Sequence, residues 1–166
     1  MKHPYDTFPI PTGDFSIALD ESGAIVATAF GNVDTLKEWF PELEPVHDRA
    51  ATRVAREQVL EYFAGKRKKF ALKLAPAGTA FQKSVWAALQ RIPFGVTRSY
   101  GEIAAELGNG KASRAVGRAN GTNPICLLVP CHRVIGADGS LTGFAYGNAI
   151  KQRLLEHEGA LLVSSS

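Results

Sequence analysis

The sequence predicts an α+β protein in two parts, an α/β first half with a small antiparallel sheet and a mostly helical second half. Three observations predict it. Residues 15–19, Phe-Ser-Ile-Ala-Leu, and 24–30, Ala-Ile-Val-Ala-Thr-Ala-Phe, are β-rich runs on either side of the turn residues Asp20-Glu21-Ser22-Gly23, the pattern of a hairpin. Helix-start signals gather in the second half, at Thr79 and at Ser99 with Glu102 three residues on. Between the two regimes Pro76-Ala77-Gly78-Thr79 interrupts both periodicities, which sets expected domains at 1–76 and 77–166.

Taken in order, residues 7–31 are short strands. Asn32-Val33-Asp34 opens a short helix that Pro41 ends. Residues 50–63 carry Val54, Ala55, Val59, Tyr62 and Phe63 on an amphipathic helix stopped near Gly65. Lys66-Arg67-Lys68-Lys69 lies between that helix and an expected strand at 70–74, and is read as a solvated turn in preference to a nucleic-acid patch. Thr79 then caps a helix with Phe81, Val85, Trp86 and Leu89 on its apolar face, broken by Pro93-Phe94-Gly95. Ser99 and Glu102 form a capping box for a helix through Leu107, Gly108-Asn109-Gly110 turns the chain, and 111–120 form the next helix. Two short helices joined by a glycine-containing turn match a helix-turn-helix. A closing helix from about Asn148 has Ile150, Leu154 and Leu155 on its apolar side.

Composition narrows the class. With 45% hydrophobic and 21% charged residues in 166, the chain is globular, neither disordered nor fibrous. No stretch approaches the ~20 apolar residues of a membrane span. The start, Met1-Lys2-His3-Pro4-Tyr5-Asp6, has no apolar signal core. A cytoplasmic protein without membrane association is therefore expected. Cys126 and Cys131 make neither a disulfide framework nor a CxxC pair, and His3, His47, His132 and His157 give no zinc spacing, so no metal is expected. Residues 1–76 hold ten basic against eleven acidic side chains, whereas 77–166 hold nine against five; the positive excess of the second half suits a polyanionic partner.

That half also holds the most reactive-looking stretch, Asn123-Pro124-Ile125-Cys126-Leu127-Leu128-Val129-Pro130-Cys131-His132-Arg133-Val134. A cysteine reacts as its thiolate, and at an ordinary pKa of about 8.5 little of it is ionised at neutral pH. His132 and Arg133 supply a candidate base and cation. Adjacency alone leaves a structural cysteine open, because neighbours on an extended chain face opposite ways and buried cysteine is common. Upstream, the helix at 111–120 is built of small residues apart from Lys111, Arg114, Arg118 and Asn120. Arg114 and Arg118 are like charges at i,i+4, a repulsion better tolerated opposite an anion, although packing inside the domain is the alternative. A helix-turn-helix on the basic half, just before Cys131, makes DNA a candidate partner.

Five blocks then acquire a common meaning: Ser99-Tyr100, Arg114-Ala115-Val116-Gly117, Asn123-Pro124, Pro130-Cys131-His132-Arg133-Val134 and Leu154-Leu155-Glu156-His157-Glu158-Gly159. In order and spacing the chain resembles the methylated-DNA-[protein]-cysteine S-methyltransferases, the O-6-alkylguanine-DNA alkyltransferases. The match runs from about Gly78 to Gly159, with a weaker pattern in the first part that includes Phe63-Ala64-Gly65. The resemblance implies a ribonuclease-H-like N-terminal domain and a winged-helix-like C-terminal domain containing the helix-turn-helix.

It further implies DNA repair by a single alkyl transfer to Cys131 from O-6 of guanine, with O-4 of thymine as a further candidate, and no cofactor. The partner it implies is double-stranded DNA carrying O-6-alkylguanine, held through the minor groove by a monomer that flips the base out of the stack. By resemblance, His132 acts on the thiol through a water, Glu158 orients the imidazole, and Asn123 is the hinge residue before the nucleophile. Arg114 fills the gap left by the flipped base, Ser113 and Ala115 belong to the DNA-facing helix, and Tyr100 stands beside the target phosphate and base. Val134, Phe144, Ala145 and Tyr146 are expected at the pocket. Two departures stand out: Phe144 occupies a usual Tyr position and Tyr146 a usual Gly position, which puts the accepted alkyl size in question. Cys126 is expected near the pocket in a structural role. The competing readings are a damage sensor that does not transfer, a redox-sensing regulator and a cysteine hydrolase.

Overall fold

The structure, a computed structural model, describes residues 1–160; the tail at 161–166 lies outside the described residues. The chain divides into two compact units, Met1–Ala77 and one beginning at Gly78.

In the first unit the hairpin is β2 (Gly13–Leu19) against β3 (Ile25–Ala29), with a register shift at Ala18/Leu19. Asp20 shapes its turn by accepting from the backbone N–H of Ser22 and Ala24. A preceding strand β1 (His3–Ile10) pairs antiparallel with β2, Tyr5 opposite Ala18 and Ile10 opposite Gly13. A three-residue strand β4 (Pro45–His47) joins the far side of β1 in parallel, giving the order β3-β2-β1-β4. The sheet is therefore mixed and not antiparallel throughout as expected. The buried Asp6 of β1 holds that edge: it accepts from Arg56 at 2.8 Å and is hydrogen-bonded to His47 at 3.0 Å.

Helix α1 (Val33–Trp39) is capped by the Asn32 side chain, which accepts from the N–H groups of Asp34 and Thr35. In α2 (Arg53–Phe63) the buried face differs from the apolar one expected, because Val54 is exposed while Arg56 and Gln58 are buried. Both polar groups are satisfied, Arg56 by Asp6 and Gln58 by the backbone N–H and C=O of Ala71. That second pairing also corrects the expected strand at 70–74. Ala71 bonds to a side chain instead of a strand, and only Leu74 forms a bridge, to Ile25.

The second unit is helical. Helix α3 (Ala80–Gln90) starts from a capping box of Thr79 and Gln82 and buries Val85, Trp86, Ala88 and Leu89. Phe81, expected on that face, stays 40% exposed. The next capping box, Ser99 with Glu102, starts α4 (Tyr100–Glu106). Gly108, at φ +79°, takes a backbone conformation that suits glycine, and α5 (Ser113–Gly121) follows. The Trp86 indole N–H donates 2.8 Å to the Ala119 carbonyl, fixing α5 on α3. The chain closes with α6 (Asn148–His157), with Glu158 at its C-cap. A two-residue parallel pair, β5 (Arg98–Ser99) with β6 (Val134–Ile135), ties the start of α4 to the chain just past Cys131; no sequence pattern announced it. Among the described residues no helix is long and apolar enough to cross a membrane.

Candidate active site

The loop leading to Cys131 is closed by one side chain. Asn123 donates from Nδ2 to the Val129 carbonyl at 2.8 Å and accepts at Oδ1 from the Ile125 N–H at 3.0 Å. Inside it Leu127 sits at φ +74°, a conformation that costs a non-glycine residue about 1–3 kcal/mol and persists only where neighbours enforce it. The chain then makes one turn of 3-10 helix at Cys131–Arg133. Successive side chains on such a turn are about 120° apart, so Cys131 and His132 are not sent to opposite faces as they would be on a strand. All three residues are buried, His132 completely.

Glu158 organises them. Its carboxylate receives His132 Nε2 at 2.9 Å and both Nε and a terminal nitrogen of Arg133 at 2.8 and 2.9 Å. Arg133 also donates to the Ile92 carbonyl at 2.7 Å. An ionised carboxylate only accepts, so Nε2 carries the proton and Nδ1 presents a lone pair. That Nδ1 is buried and has no hydrogen-bond partner among the described residues. Burial alone would raise Glu158, but its bonds to His132 and Arg133 outweigh this and hold the carboxyl well below the usual range. Burial pushes the His132 imidazole down, further than the Glu158 bond raises it. The result is a neutral imidazole backed by an ionised carboxylate.

The thiol sits among further polar groups. Burial pushes the Cys131 thiol up, opposed by a bond from the Asn123 side chain, the charge of Lys151 and nearby backbone N–H groups. Lys151 of α6 is fully buried and donates to the carbonyls of Val134 and Thr142. Burial lowers its ammonium to about 8, with Cys131 pulling the other way. The Tyr100 hydroxyl donates to the same Thr142 carbonyl at 2.7 Å. This close approach requires glycine at 143, since a Cβ there would lie 2.5 Å from the Tyr100 oxygen. Burial raises both Tyr100 and Tyr146, and Cys131 adds to each. The Tyr146 hydroxyl is also hydrogen-bonded to Cys126. Among the described residues no group of three or more His, Cys, Asp or Glu side chains is placed to hold a metal ion.

Residues 80–160 match the family model described as the DNA-binding domain of 6-O-methylguanine DNA methyltransferase. The methylated-DNA–protein-cysteine methyltransferase of Methanosarcina acetivorans is 49% identical over 159 residues, covering 94% of this chain and 98% of that one. The constitutive methylated-DNA–protein-cysteine methyltransferase of Bacillus subtilis is 43% identical over 143 residues, 85% of this chain and 86% of its own. The chain belongs to the methylated-DNA–protein-cysteine methyltransferase family. The crystal structure of Mycobacterium tuberculosis OGT in complex with DNA superposes with a TM-score of 0.85 at 42% identity, over 95% of this chain and 93% of that one. The likeness extends to the mixed α+β architecture, with a small sheet and six helices among the described residues.

Of the residues the sequence pointed to, this methyltransferase chain brings Asn123, Tyr100 and Tyr146 within electrostatic reach of the Cys131 thiol and joins Glu158 to the adjacent His132. Phe144 is buried with its ring 6.0 Å from that of Tyr146, whereas Ala145 is exposed. Val134 is buried, and its carbonyl already accepts from Lys151. Arg114 is exposed and Ser113 and Ala115 partly so, all in the first turn of α5. Sequence reasoning missed Lys151. The signal was present, because positions 151, 154, 155 and 158 follow the i, i+3, i+4, i+7 spacing of one helix face, and that face places Lys151 beside the buried Leu154, Leu155 and Glu158.

Proposed function

We propose that this chain repairs DNA by moving one alkyl group from O-6 of guanine onto Cys131. The observation that carries the reading is the buried Cys131–His132–Glu158 arrangement, in which a neutral imidazole presents an unpartnered Nδ1 lone pair and is backed by an ionised carboxylate. This is nucleophile, base and orienter in sequence. The thiol proton passes to His132 Nδ1 through a water, and Glu158 stabilises the imidazolium that forms. The Cys131 sulfur attacks the alkyl carbon, a C–S bond forms as the C–O bond breaks, and the guanine oxygen leaves with the electron pair. Tyr100 turns its one hydroxyl hydrogen from the Thr142 carbonyl, which Lys151 continues to satisfy, to the departing guanine. The thioether has no route back to the thiol, so each molecule acts once. The cysteine supplies the electron pair itself, and the reaction calls for no cofactor.

The same proposal gives the rest of the chain its parts. Helices α4 and α5 form a helix-turn-helix that enters the minor groove of double-stranded DNA, where Ser113 and Ala115 allow close approach. Arg114 replaces the flipped base in the stack, a planar cation suited to lie against bases near phosphates. Asn123 is the hinge, and Val134, Phe144, Ala145 and Tyr146 line the pocket. The first unit is ribonuclease-H-like and the second winged-helix-like, in a cytoplasmic monomer with domains at 1–76 and 77–166.

The test is to incubate the protein with duplex DNA bearing O-6-methylguanine and take the intact mass. One methyl, about +14 Da, is expected on the wild type and on Cys126→Ala and is absent from Cys131→Ala. Lesion binding without a mass shift would overturn the reading in favour of a sensor.

A further inference from the structure

We propose that Asn120, in the last turn of α5, is the positioning residue that holds and aims the water between the Cys131 thiol and His132. The proposal rests on Cys131 being the alkyl acceptor and on the water relay that ionises it, and it supplies that relay with a second anchor.

Asn120 is only 2% exposed. Its Nδ2 donates to the Cys131 carbonyl at 3.4 Å. A carbonyl only accepts, so the amide nitrogen must face it, and this sets which way the side chain is turned. The Oδ1 is buried and has no hydrogen-bond partner among the described residues, and His132 Nδ1 is in the same condition. Buried polar atoms without partners are few in any protein. Here two of them belong to side chains tied to one nucleophile, His132 through the chain and Asn120 through the Cys131 carbonyl. Both atoms are acceptors, since Nε2 carries the ring's proton toward Glu158, so neither can satisfy the other. A water satisfies both. It has two hydrogens to give, and buried waters typically make about three hydrogen bonds. With one hydrogen on Asn120 Oδ1 and the other on His132 Nδ1, its lone pairs are left for the Cys131 S–H.

The proton transfer then balances. The S–H bond breaks as the water takes that proton, and the water's O–H toward Nδ1 breaks as an N–H bond forms. Thiolate, imidazolium and the same water remain. The bond to Oδ1 survives the exchange, so the water stays aimed throughout.

Single-turnover methyl transfer is followed by intact mass on the full chain, with O-6-methylguanine duplex at increasing concentration. The proteins are the wild type, Asn120→Leu and Asn120→Met, the last with a flexible side chain that adapts to the space it is given. Each variant should slow the limiting rate by about tenfold or more, a share of the roughly 100-fold or larger effect of general-base catalysis. The half-saturating duplex concentration should stay the same. A cycle with His132→Gln separates aiming from packing. In that background there is no base left to aim at, so Asn120→Leu should cost less than about twofold. A residue that only fixes the Cys131 carbonyl would cost as much without the imidazole as with it, and that result would overturn the proposal. So would an unchanged limiting rate in both variants, each shown to be folded by circular dichroism. Weaker lesion binding at an unchanged limiting rate would also overturn it, and would assign Oδ1 to the guanine 2-amino group.

In parallel, the DNA-free protein is labelled with methyl methanethiosulfonate from about pH 6 to pH 10, and labelling of Cys131 is located by peptide mass. The thiolate is the reactive form, so Asn120→Leu should lag by about tenfold at neutral pH and catch up near the alkaline end, where solvent removes the proton without a relay. Glu158, Arg133, Lys151, Tyr100 and Tyr146, the ionisable groups around the thiol and the imidazole, are common to both proteins, so the difference reports residue 120. Coincident profiles would overturn the anchor. Loss of methyl transfer by the wild type would instead overturn Cys131 as alkyl acceptor, and the labelling would still report whether Asn120 governs its ionisation.

Discussion

Glu158→Gln separates the stabilising role of the carboxylate from its chemical one. Glu158 is 4% exposed and accepts one bond from His132 and two from Arg133. The amide keeps the shape and can still accept from His132, but it leaves the Arg133 guanidinium, 7% exposed, without a counter-charge. Breaking a buried ion pair from one side costs about 3–5 kcal/mol, which for a chain of this size lowers Tm by roughly 6–20 °C. Adding Arg133→Met removes the stranded cation. What remains is the lost bond to the Ile92 carbonyl, a loss of about 1–2 kcal/mol. The double variant should thus recover about 2–3 kcal/mol relative to Glu158→Gln. Transfer should stay slow in both, by about 100-fold or more, because an amide does not stabilise the imidazolium. Urea unfolding gives the stabilities, and single-turnover mass measurements with O-6-methylguanine duplex give the rates. A loss under about 1 kcal/mol in Glu158→Gln, or a double variant that regains transfer along with stability, would refute the reasoning.

Three other outcomes follow from the site. His132 is held below its ordinary 6.5, so the unfolded chain takes up a proton first as the pH falls; stability is full above about 6.5 and declines below it, and His132→Gln should flatten that limb of a urea-against-pH series. Lys151 titrates at about 8 in place of 10.5, so the unfolded chain holds the extra proton between those values. The stability of wild type relative to Lys151→Met should therefore rise across pH 8 to 10.5 by up to about 3 kcal/mol, and a flat difference would show that the ammonium is not desolvated. Arg114→Ala should slow transfer from duplex DNA by about tenfold more than from a single-stranded oligonucleotide, since only the duplex has a gap to fill; equal slowing would count against a role in base flipping.

What was legible in the sequence was local. Asn32, Thr79 and Ser99 announced helix starts because a cap is made by a side chain and the backbone two or three residues away. The strand expected at 70–74 fails because an apolar alternation does not reveal whether a neighbouring strand is present; there the backbone of Ala71 pairs with the Gln58 amide. β4 is three residues long and pairs with a strand some forty positions earlier, a relation no window contains. At the site, the Cys131-His132 adjacency was visible, but its geometry depended on a 3-10 turn. Lys151 was hidden because a lysine on an amphipathic helix is usually solvated, and its burial depends on two carbonyls outside its helix, Val134 in β6 and Thr142.

The bond from Trp86 to the Ala119 carbonyl makes the protein its own optical reporter. The chain has two tryptophans; Trp39 is 47% exposed and Trp86 only 2%, so their emission falls at different wavelengths, the buried indole to the blue. Trp86 is bonded directly to α5. Any load placed on that helix lengthens or bends an indole hydrogen bond and changes the blue component, while the red component from Trp39 serves as an internal standard. If α5 enters the groove as proposed, its docking can thus be followed in unlabelled protein, in real time, and apart from the covalent step that the mass records.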